Sequence, residues 1–203
     1  MVLSKNSLPQ YFEIATPQTT HYKKPCNTYD VRIGNNTSLC VTIGESWTYG
    51  SDISERLKHV YGSVLSRKLD ADWLNLGIPS AGNLFVRDKV SELVRIISLM
   101  PYDKIYVVCL LTEAGRELDS SRDNTVDYHT WFNNNINVYT DYYKFFAYLT
   151  DTCVESITRE LLPFGHVQLV FATNFVEQAG VINQYDNFLQ DSWVKMLCDQ
   201  DNK

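Results

Sequence analysis

The feature of this sequence that most limits its fold is a strand-like run that stops at a turn of small and polar residues. Leu39 to Ile43 are apolar or β-branched, and the run ends at Gly44-Glu45-Ser46, before a segment with helical spacing. This order predicts a buried strand, a turn and an amphipathic helix. Open α/β sheets bind ligands at the carboxyl ends of their strands, so Ser46 is predicted to lie at a ligand site. A serine that only caps a turn is the alternative.

Strand-like and helix-like patterns alternate through the rest of the chain. Further strands are predicted at 73–76, 104–111 and 167–172. Helices are predicted at 53–69 with an Asp52 cap, from an Asn83 cap to just before Pro101, at 138–162 and at 191–198. Such alternation predicts an α/β fold with three layers, α/β/α, around a sheet of about four to five parallel strands. The run at 104–111 is almost continuously apolar, which is typical of a parallel strand covered on both faces.

Length and composition predict one globular domain. The chain has 203 residues, of which 44% are hydrophobic, and this is enough to bury a single core. Residues 1–38 are polar and interrupted by prolines, so we expect an irregular lead-in followed by an α/β domain at 39–203. The net charge is −6, and no basic cluster is present that would neutralise phosphates, so nucleic acid is not expected as a partner.

The cysteines and the amino terminus bear on compartment and cofactors. The five cysteines have no paired spacing, and they are Cys26, Cys40, Cys109, Cys153 and Cys198. They are predicted to be buried thiols in a reducing compartment, and neither a metal site nor a cofactor is expected. The first residues lack an apolar signal core, and no run is long enough to span a membrane. These features predict a soluble, cytoplasmic protein.

The turn after the first long strand resembles a known sequence block. Gly44-Glu45-Ser46-Trp47-Thr48 is similar to the first block of the SGNH (GDSL-type) hydrolases, a family of esterases and lipases in which Gly-Asp-Ser follows the first strand. Glu45 replaces the usual aspartate. The segment 75–79 resembles the second block, and the strand ending at Leu111 precedes the position of the third. The resemblance covers residues 38–172, is specific only in its first block, and implies a flavodoxin-like SGNH-hydrolase sheet.

The resemblance also implies roles for residues. In that family the serine attacks an ester carbonyl, and the oxyanion is held by the serine N–H, a glycine N–H of the second block and an asparagine of the third. Ser46, after Gly44, is therefore implied as the nucleophile and first donor. The second donor stays open between Ser80 and Gly82, because the register through Pro79 puts Ser80 where a glycine is expected.

The third block departs from the family pattern, because no asparagine follows Leu111. Thr112 can donate a hydroxyl hydrogen bond, and Arg116 can stabilise an oxyanion by charge, with Glu113 between them. A solvated, salt-bridged loop is the alternative for this segment.

The family's Asp-x-x-His block, which supplies the base, occurs nowhere in the sequence. His166 precedes the fourth strand and is predicted at the wrong edge of the sheet. His129, with Asp127 two residues earlier, follows the third strand at the correct edge, so a Ser46–His129 dyad is one hypothesis. The other is that the chain is truncated, or is completed by a partner chain or a second copy in a homo-oligomer.

Two functions follow from this pattern. The first is an esterase that removes acyl groups, such as O-acetyl groups of a carbohydrate, from a small-molecule or glycan ester through an acyl-Ser46 intermediate. The alternative is a non-catalytic module of the same fold that binds a glycan or a protein through aromatic residues near the site. These residues are Trp47, Tyr49, Trp131 and Tyr139.

Overall fold

The computed structural model describes Lys5 and residues 30–79, 81–112 and 139–173, without the side chains of 139–149. The strands are β1 (Asp30–Arg32), β2 (Ser38–Ile43), β3 (Asp72–Asn75), β4 (Lys104–Leu111) and β5 (Val167–Thr173). The helices are α1 (Ser46–Tyr49), α2 (Arg56–His59), α3 (Tyr61–Lys68), α4 (Asn83–Ile97) and α5 (Tyr139–Leu161). The predicted helix at 191–198 lies outside these ranges.

The strands form one five-stranded sheet in the order β1-β3-β2-β4-β5. The four strands β2 to β5 pair in parallel, which confirms the predicted parallel sheet. The edge strand β1 is antiparallel to β3 and pairs Asp30 with Asn75. Residues 30–32 were predicted as part of an irregular lead-in, and this was wrong, because a three-residue strand leaves no detectable period and depends on contacts made far along the chain.

Helices cover both faces of the sheet, as predicted for an α/β/α fold. On one face, Leu39, Val41 and Ile43 of β2 join a core with the apolar residues of α4 and α5. On the other face, α3 lies against the sheet through Gly62, where a Cβ atom would come within 2.7 Å of Trp73 Nε1 and 2.8 Å of Thr42 Cγ2. Because alternate residues of a strand point to opposite faces, β2 is buried on both sides.

Two predicted helix starts were wrong. The helix expected at 53–69 is divided into α2 and α3 by Val60, whose backbone is extended with φ −60° and ψ 140°. Asp52 does not cap a helix but has a left-handed φ of 61°. Before α4 the N-cap residue is Gly82, and Asn83 is the first helical residue instead of the cap. In this position the Asn83 side chain binds the end of β4.

The described cysteines agree with the prediction of buried thiols. Cys40, Cys109 and Cys153 are buried and form no disulfide among the described residues. Burial raises the pKa of the Cys40 thiol to about 12. Cys26 and Cys198 lie outside the described ranges. Within those ranges, no helix combines the length and the apolar character that crossing a bilayer requires.

Candidate active site

The turn that carries Ser46 joins β2 to the short helix α1. Glu45 is the N-cap residue of this helix, and Gly50 ends it with a left-handed φ of 84°. Gly44 lies in a space that only glycine fits, because a Cβ atom would come within 2.3 Å of Thr48 Oγ1 and 2.9 Å of the Leu110 carbonyl oxygen. The turn therefore packs closely against both α1 and β4, and this packing fixes the position of Ser46 at the edge of the sheet.

Ser46 and Glu45 form the central contact of the site. The Ser46 hydroxyl donates a short hydrogen bond to Glu45 Oε2. The other carboxylate oxygen, Oε1, accepts a hydrogen bond from the Trp47 backbone N–H at 3.2 Å. Glu45 is only 1% exposed, whereas Ser46 is half-buried. The proton that Ser46 must lose in order to act as a nucleophile is thus directed at a buried carboxylate.

The segment that resembles the second block packs beneath α1 through Asn75 and Gly77. Asn75 Oδ1 accepts the Gly77 N–H at 3.0 Å, and Asn75 Nδ2 donates to the Thr48 carbonyl oxygen at 2.9 Å. A Cβ atom on Gly77 would lie 2.5 Å from the Tyr49 nitrogen. Gly82 is the N-cap residue of α4, and Ser80 lies outside the described ranges, so the choice of second oxyanion donor stays a prediction.

Thr112 follows β4 at the same edge of the sheet as Ser46. Ile43 pairs with Cys109, so both Ser46 and Thr112 lie three residues beyond that pair. Asn83 holds the Thr112 backbone on both sides: Oδ1 accepts the Thr112 N–H at 2.9 Å, and Nδ2 donates to the carbonyl oxygen at 3.3 Å. Thr112 is 1% exposed, and its Oγ1 has no hydrogen-bond partner among the described residues. A buried hydroxyl lowers stability unless a hydrogen-bond partner satisfies it.

A salt bridge from the edge strand braces the end of α1. The Arg56 guanidinium makes two hydrogen bonds to the Asp30 carboxylate, and the one from Nη2 to Oδ1 is 2.9 Å. Arg56 Nη1 also donates to the Tyr49 carbonyl oxygen at 3.0 Å, and the guanidinium lies 4.1 Å from the centre of the Tyr49 ring. This salt bridge was not predicted from the sequence, because Asp30 was assigned to the lead-in and Arg56 to a longer helix.

The aromatic residues predicted to bind a glycan or a protein differ in their exposure. Trp47, beside Ser46, is 55% exposed. Tyr49 is half-buried and stacked against Arg56, so it supports the turn instead of facing a ligand. Trp131 and the side chain of Tyr139 lie outside the described part of the structure. Trp47 is therefore the described aromatic side chain that is available to a substrate next to Ser46.

The proton acceptor predicted from sequence, His129, lies outside the described ranges. Asp127, Glu113 and Arg116 also lie outside them, so the roles of all four residues stay predictions. His166 lies just before β5, where its carbonyl oxygen accepts the Ile105 N–H at 2.9 Å, and this confirms its position at the amino edge of the sheet. In the part of the chain that the structure describes, Glu45 is the side chain that accepts the Ser46 hydroxyl hydrogen bond.

Potential metal ligands do not gather in the described ranges, where no group of three or more histidine, cysteine, aspartate or glutamate residues could hold an ion.

Solved structures with a similar fold are SGNH and G-D-S-L hydrolases. AlinE4, an SGNH-hydrolase family esterase, is 13% identical, and the match covers 84% of this chain and 83% of that chain with a TM-score of 0.52. An aspartate-to-alanine variant of AlinE4 gives the same values. A member of the lipolytic protein G-D-S-L family from Veillonella parvula DSM 2008 is 9% identical over 81% of this chain and 74% of that chain, with a TM-score of 0.38. No protein-family model and no curated protein matches the sequence. The match to AlinE4 shows that the chain has the SGNH-hydrolase fold.

Proposed function

We propose that this protein is a serine esterase that hydrolyses an acyl ester through an acyl-Ser46 intermediate. The observation that carries the proposal is the hydrogen bond from the Ser46 hydroxyl to the buried Glu45 carboxylate, at the carboxyl end of β2 in an SGNH-hydrolase fold. Nucleophilic serines are recognised by a hydrogen-bonded acceptor for their proton and by donors for the oxyanion that forms.

The oxyanion is stabilised by donors at the ends of neighbouring strands. Ser46 supplies its backbone N–H, and Thr112 supplies the Oγ1 hydroxyl that lacks a partner among the described residues. The backbone N–H of Ser80 or Gly82 supplies the second donor. Glu113 and Arg116 follow Thr112, the third donor, in the sequence. Donors that are fixed before the reaction stabilise developing charge without further reorganisation. Asn83 fixes the Thr112 backbone in this way.

The substrate is a small-molecule or glycan ester, with an O-acetyl carbohydrate as the preferred class. The exposed Trp47 ring beside Ser46 supports this choice, since aromatic faces pack well against the apolar faces of ligands. A cytoplasmic location, and a partner chain or second copy that completes the site, belong to the same proposal.

The test is hydrolysis of p-nitrophenyl acetate and of an acetylated oligosaccharide by the wild type, Ser46→Ala and Ser54→Ala. Ser54 is an exposed serine in the same segment and serves as the matched control. We expect turnover by the wild type and Ser54→Ala, and a loss of at least about 1,000-fold in Ser46→Ala. Equal rates in Ser46→Ala and the wild type would contradict the proposal.

The exposed Trp47 also favours a second candidate, a module that binds glycans without hydrolysis. This candidate requires oligosaccharide binding that is unchanged in Ser46→Ala and lost in Trp47→Ala, with no ester turnover by the wild type. Ester turnover that depends on Ser46 would exclude it.

A further inference from the structure

The contact between Glu45 and Ser46 goes beyond what capping a helix requires. One carboxylate oxygen of Glu45 already satisfies the Trp47 N–H at the start of α1, at 3.2 Å. The second oxygen accepts a hydrogen bond from the Ser46 hydroxyl. The side chain therefore carries out two separate tasks with its two oxygens.

Glutamate is an unusual choice if capping were the only role. Serine, threonine, aspartate and asparagine are the preferred N-cap residues, because their short side chains reach the first free N–H groups. Glu45 is one methylene longer than the aspartate that the family block carries, and the added length lets the same carboxylate reach both the cap position and the neighbouring hydroxyl. Glu45 is also buried, with 1% of its surface exposed.

The histidines that the structure describes are not alternatives to Glu45 as the acceptor of the Ser46 hydroxyl proton. His59 is exposed on α2, and His166 lies at the amino edge of the sheet. Neither makes a hydrogen bond to Ser46 among the described contacts. A general base must lie within hydrogen-bond reach of the proton that it removes, and Glu45 meets this requirement.

We infer that Glu45 is the general base of the proposed esterase, so that nucleophile and base are consecutive in sequence; this inference rests on the proposed function. Ser46 Oγ attacks the ester carbonyl carbon, its proton moves to Glu45 Oε2, and the carbonyl π electrons move to the oxyanion. The oxyanion collapses, the bond to the alkoxy group breaks, and Glu45 returns the proton to the departing alcohol. A water molecule then attacks the acyl-Ser46 carbonyl and gives its proton to Glu45. That proton passes to Ser46 Oγ as the carboxylic acid leaves.

The experiment measures p-nitrophenyl acetate hydrolysis by the wild type, Glu45→Gln, His129→Ala and the control Glu55→Gln. Glu55 is an exposed glutamate paired with Lys58, so Glu55→Gln makes the same chemical change outside the site. Glutamine keeps the size of the side chain and an oxygen for the Trp47 N–H, but it cannot take up a proton. We expect kcat to fall about 100-fold or more in Glu45→Gln, with KM little changed, while the control Glu55→Gln stays near the wild type. His129→Ala tests the competing Ser46–His129 dyad.

The dependence on hydroxide separates a base from a merely structural residue. Without Glu45 the proton must be removed by solvent, so the residual rate of Glu45→Gln should rise in proportion to hydroxide concentration. Thermal unfolding of each variant checks that it is folded. Should Glu45→Gln fail to fold, Glu45→Asp keeps the charge and the cap but loses reach, and its kcat should fall at least about tenfold.

Three outcomes overturn the inference. If Glu45→Gln keeps the wild-type kcat while His129→Ala loses activity, the base is His129 and the proposed esterase function stands. Loss in both variants, with a Glu45→Gln rate that does not rise with hydroxide, would make Glu45 a positioning residue. Absence of wild-type turnover overturns the esterase function and the inference together.

Discussion

Buried carboxylates at the two edges of the sheet have different kinds of partner. At the amino edge, Asp72 at the start of β3 binds the Lys5 ammonium at 3.1 Å, the Tyr102 hydroxyl at 3.0 Å and the Gly34 N–H at 2.8 Å. At the carboxyl edge, Glu45 instead holds the hydroxyl of a half-buried serine, with an exposed tryptophan beside it. Nearby, Thr112 Oγ1 lacks a partner in the described part of the chain.

The difference separates residues that stabilise the fold from residues that serve a ligand. A buried carboxylate paired with a cation and several donors is compensated within the protein. The Ser46 hydroxyl bound to a buried carboxylate, and the buried Thr112 hydroxyl without a partner among the described residues, are features expected where a protein gives up stability for function. Substitutions at the amino edge should therefore change stability, whereas substitutions at the carboxyl edge should change activity.

The largest expected effect on stability comes from Asp72→Asn. The change removes the charge that Lys5 binds and leaves a buried amide facing several donors, so the free energy of unfolding should fall by about 3 kcal/mol. Activity per folded molecule should stay at the wild-type level. Urea denaturation measures the loss. Asp88→Asn is the control, because Asp88 forms an exposed pair with Arg87 that contributes little. Equal stability of the two variants would remove the contrast between the edges.

For Thr112→Val we expect a loss of activity without a loss of stability. Valine has nearly the same shape but no hydroxyl, so kcat for ester hydrolysis should fall about 100-fold if Thr112 Oγ1 binds the oxyanion. The free energy of unfolding should stay the same or rise by about 1 kcal/mol, because a buried hydroxyl without a described partner is removed. Thr37→Val, at an exposed threonine near the amino edge, should change neither quantity. A stable variant with wild-type kcat would exclude Thr112 as a donor.

A smaller effect on both quantities is expected for Arg56→Lys. Lysine keeps the charge, but it cannot make the two-pronged bond to Asp30 or stack in the same way on Tyr49. The free energy of unfolding should fall by about 1–2 kcal/mol, and kcat should fall several-fold because the end of α1 is less firmly held. Arg95→Lys, at an exposed position on α4, is the control. Loss of stability with no change in kcat would show that the Arg56–Asp30 salt bridge does not position Ser46.

The smallest effect concerns pH. Burial raises the pKa of Cys40 from 9.0 to about 12, so the unfolded chain loses this proton before the folded protein does. The stability from keeping the thiol neutral is fully present below the unfolded pKa and is lost as the pH rises from 9 toward 12. Between about pH 8 and about pH 9.5, Cys40 should account for a fall of about 0.8 kcal/mol in the free energy of unfolding. Cys40→Ala should lack this part of the fall in urea denaturation at the two pH values, and an identical fall would contradict the assignment.

The strands and the position of Ser46 were predictable because their signals are local. Continuous apolar character identified β4 with its observed bounds, and the abrupt end of β2 at Gly44 placed Ser46 at the carboxyl edge. The edge strand was not predictable, since its three residues are held by Asn75 and Arg56 from distant parts of the chain. A spacing pattern also could not show that Val60 would interrupt the helix expected at 53–69.

The site was predictable in its residues but not in its contacts. The family resemblance pointed to Ser46, Gly44 and Thr112, and the structure places all three at one edge. It gave no reason to expect that Glu45 would bind the hydroxyl of its own neighbour, or that Asn83 would hold Thr112 instead of capping α4. Such contacts depend on side-chain reach and direction, which residue types alone do not specify.

Covalent labelling measures whether Ser46 is a nucleophile. The intact wild-type protein is treated with a fluorophosphonate, and the modified residue is located by peptide mass spectrometry, with Ser46→Ala and Ser54→Ala treated in parallel. We expect one adduct, on Ser46, in the wild type and in Ser54→Ala, and none in Ser46→Ala. If the folded wild-type protein acquires no adduct, or carries it on a different residue, Ser46 is not the nucleophile.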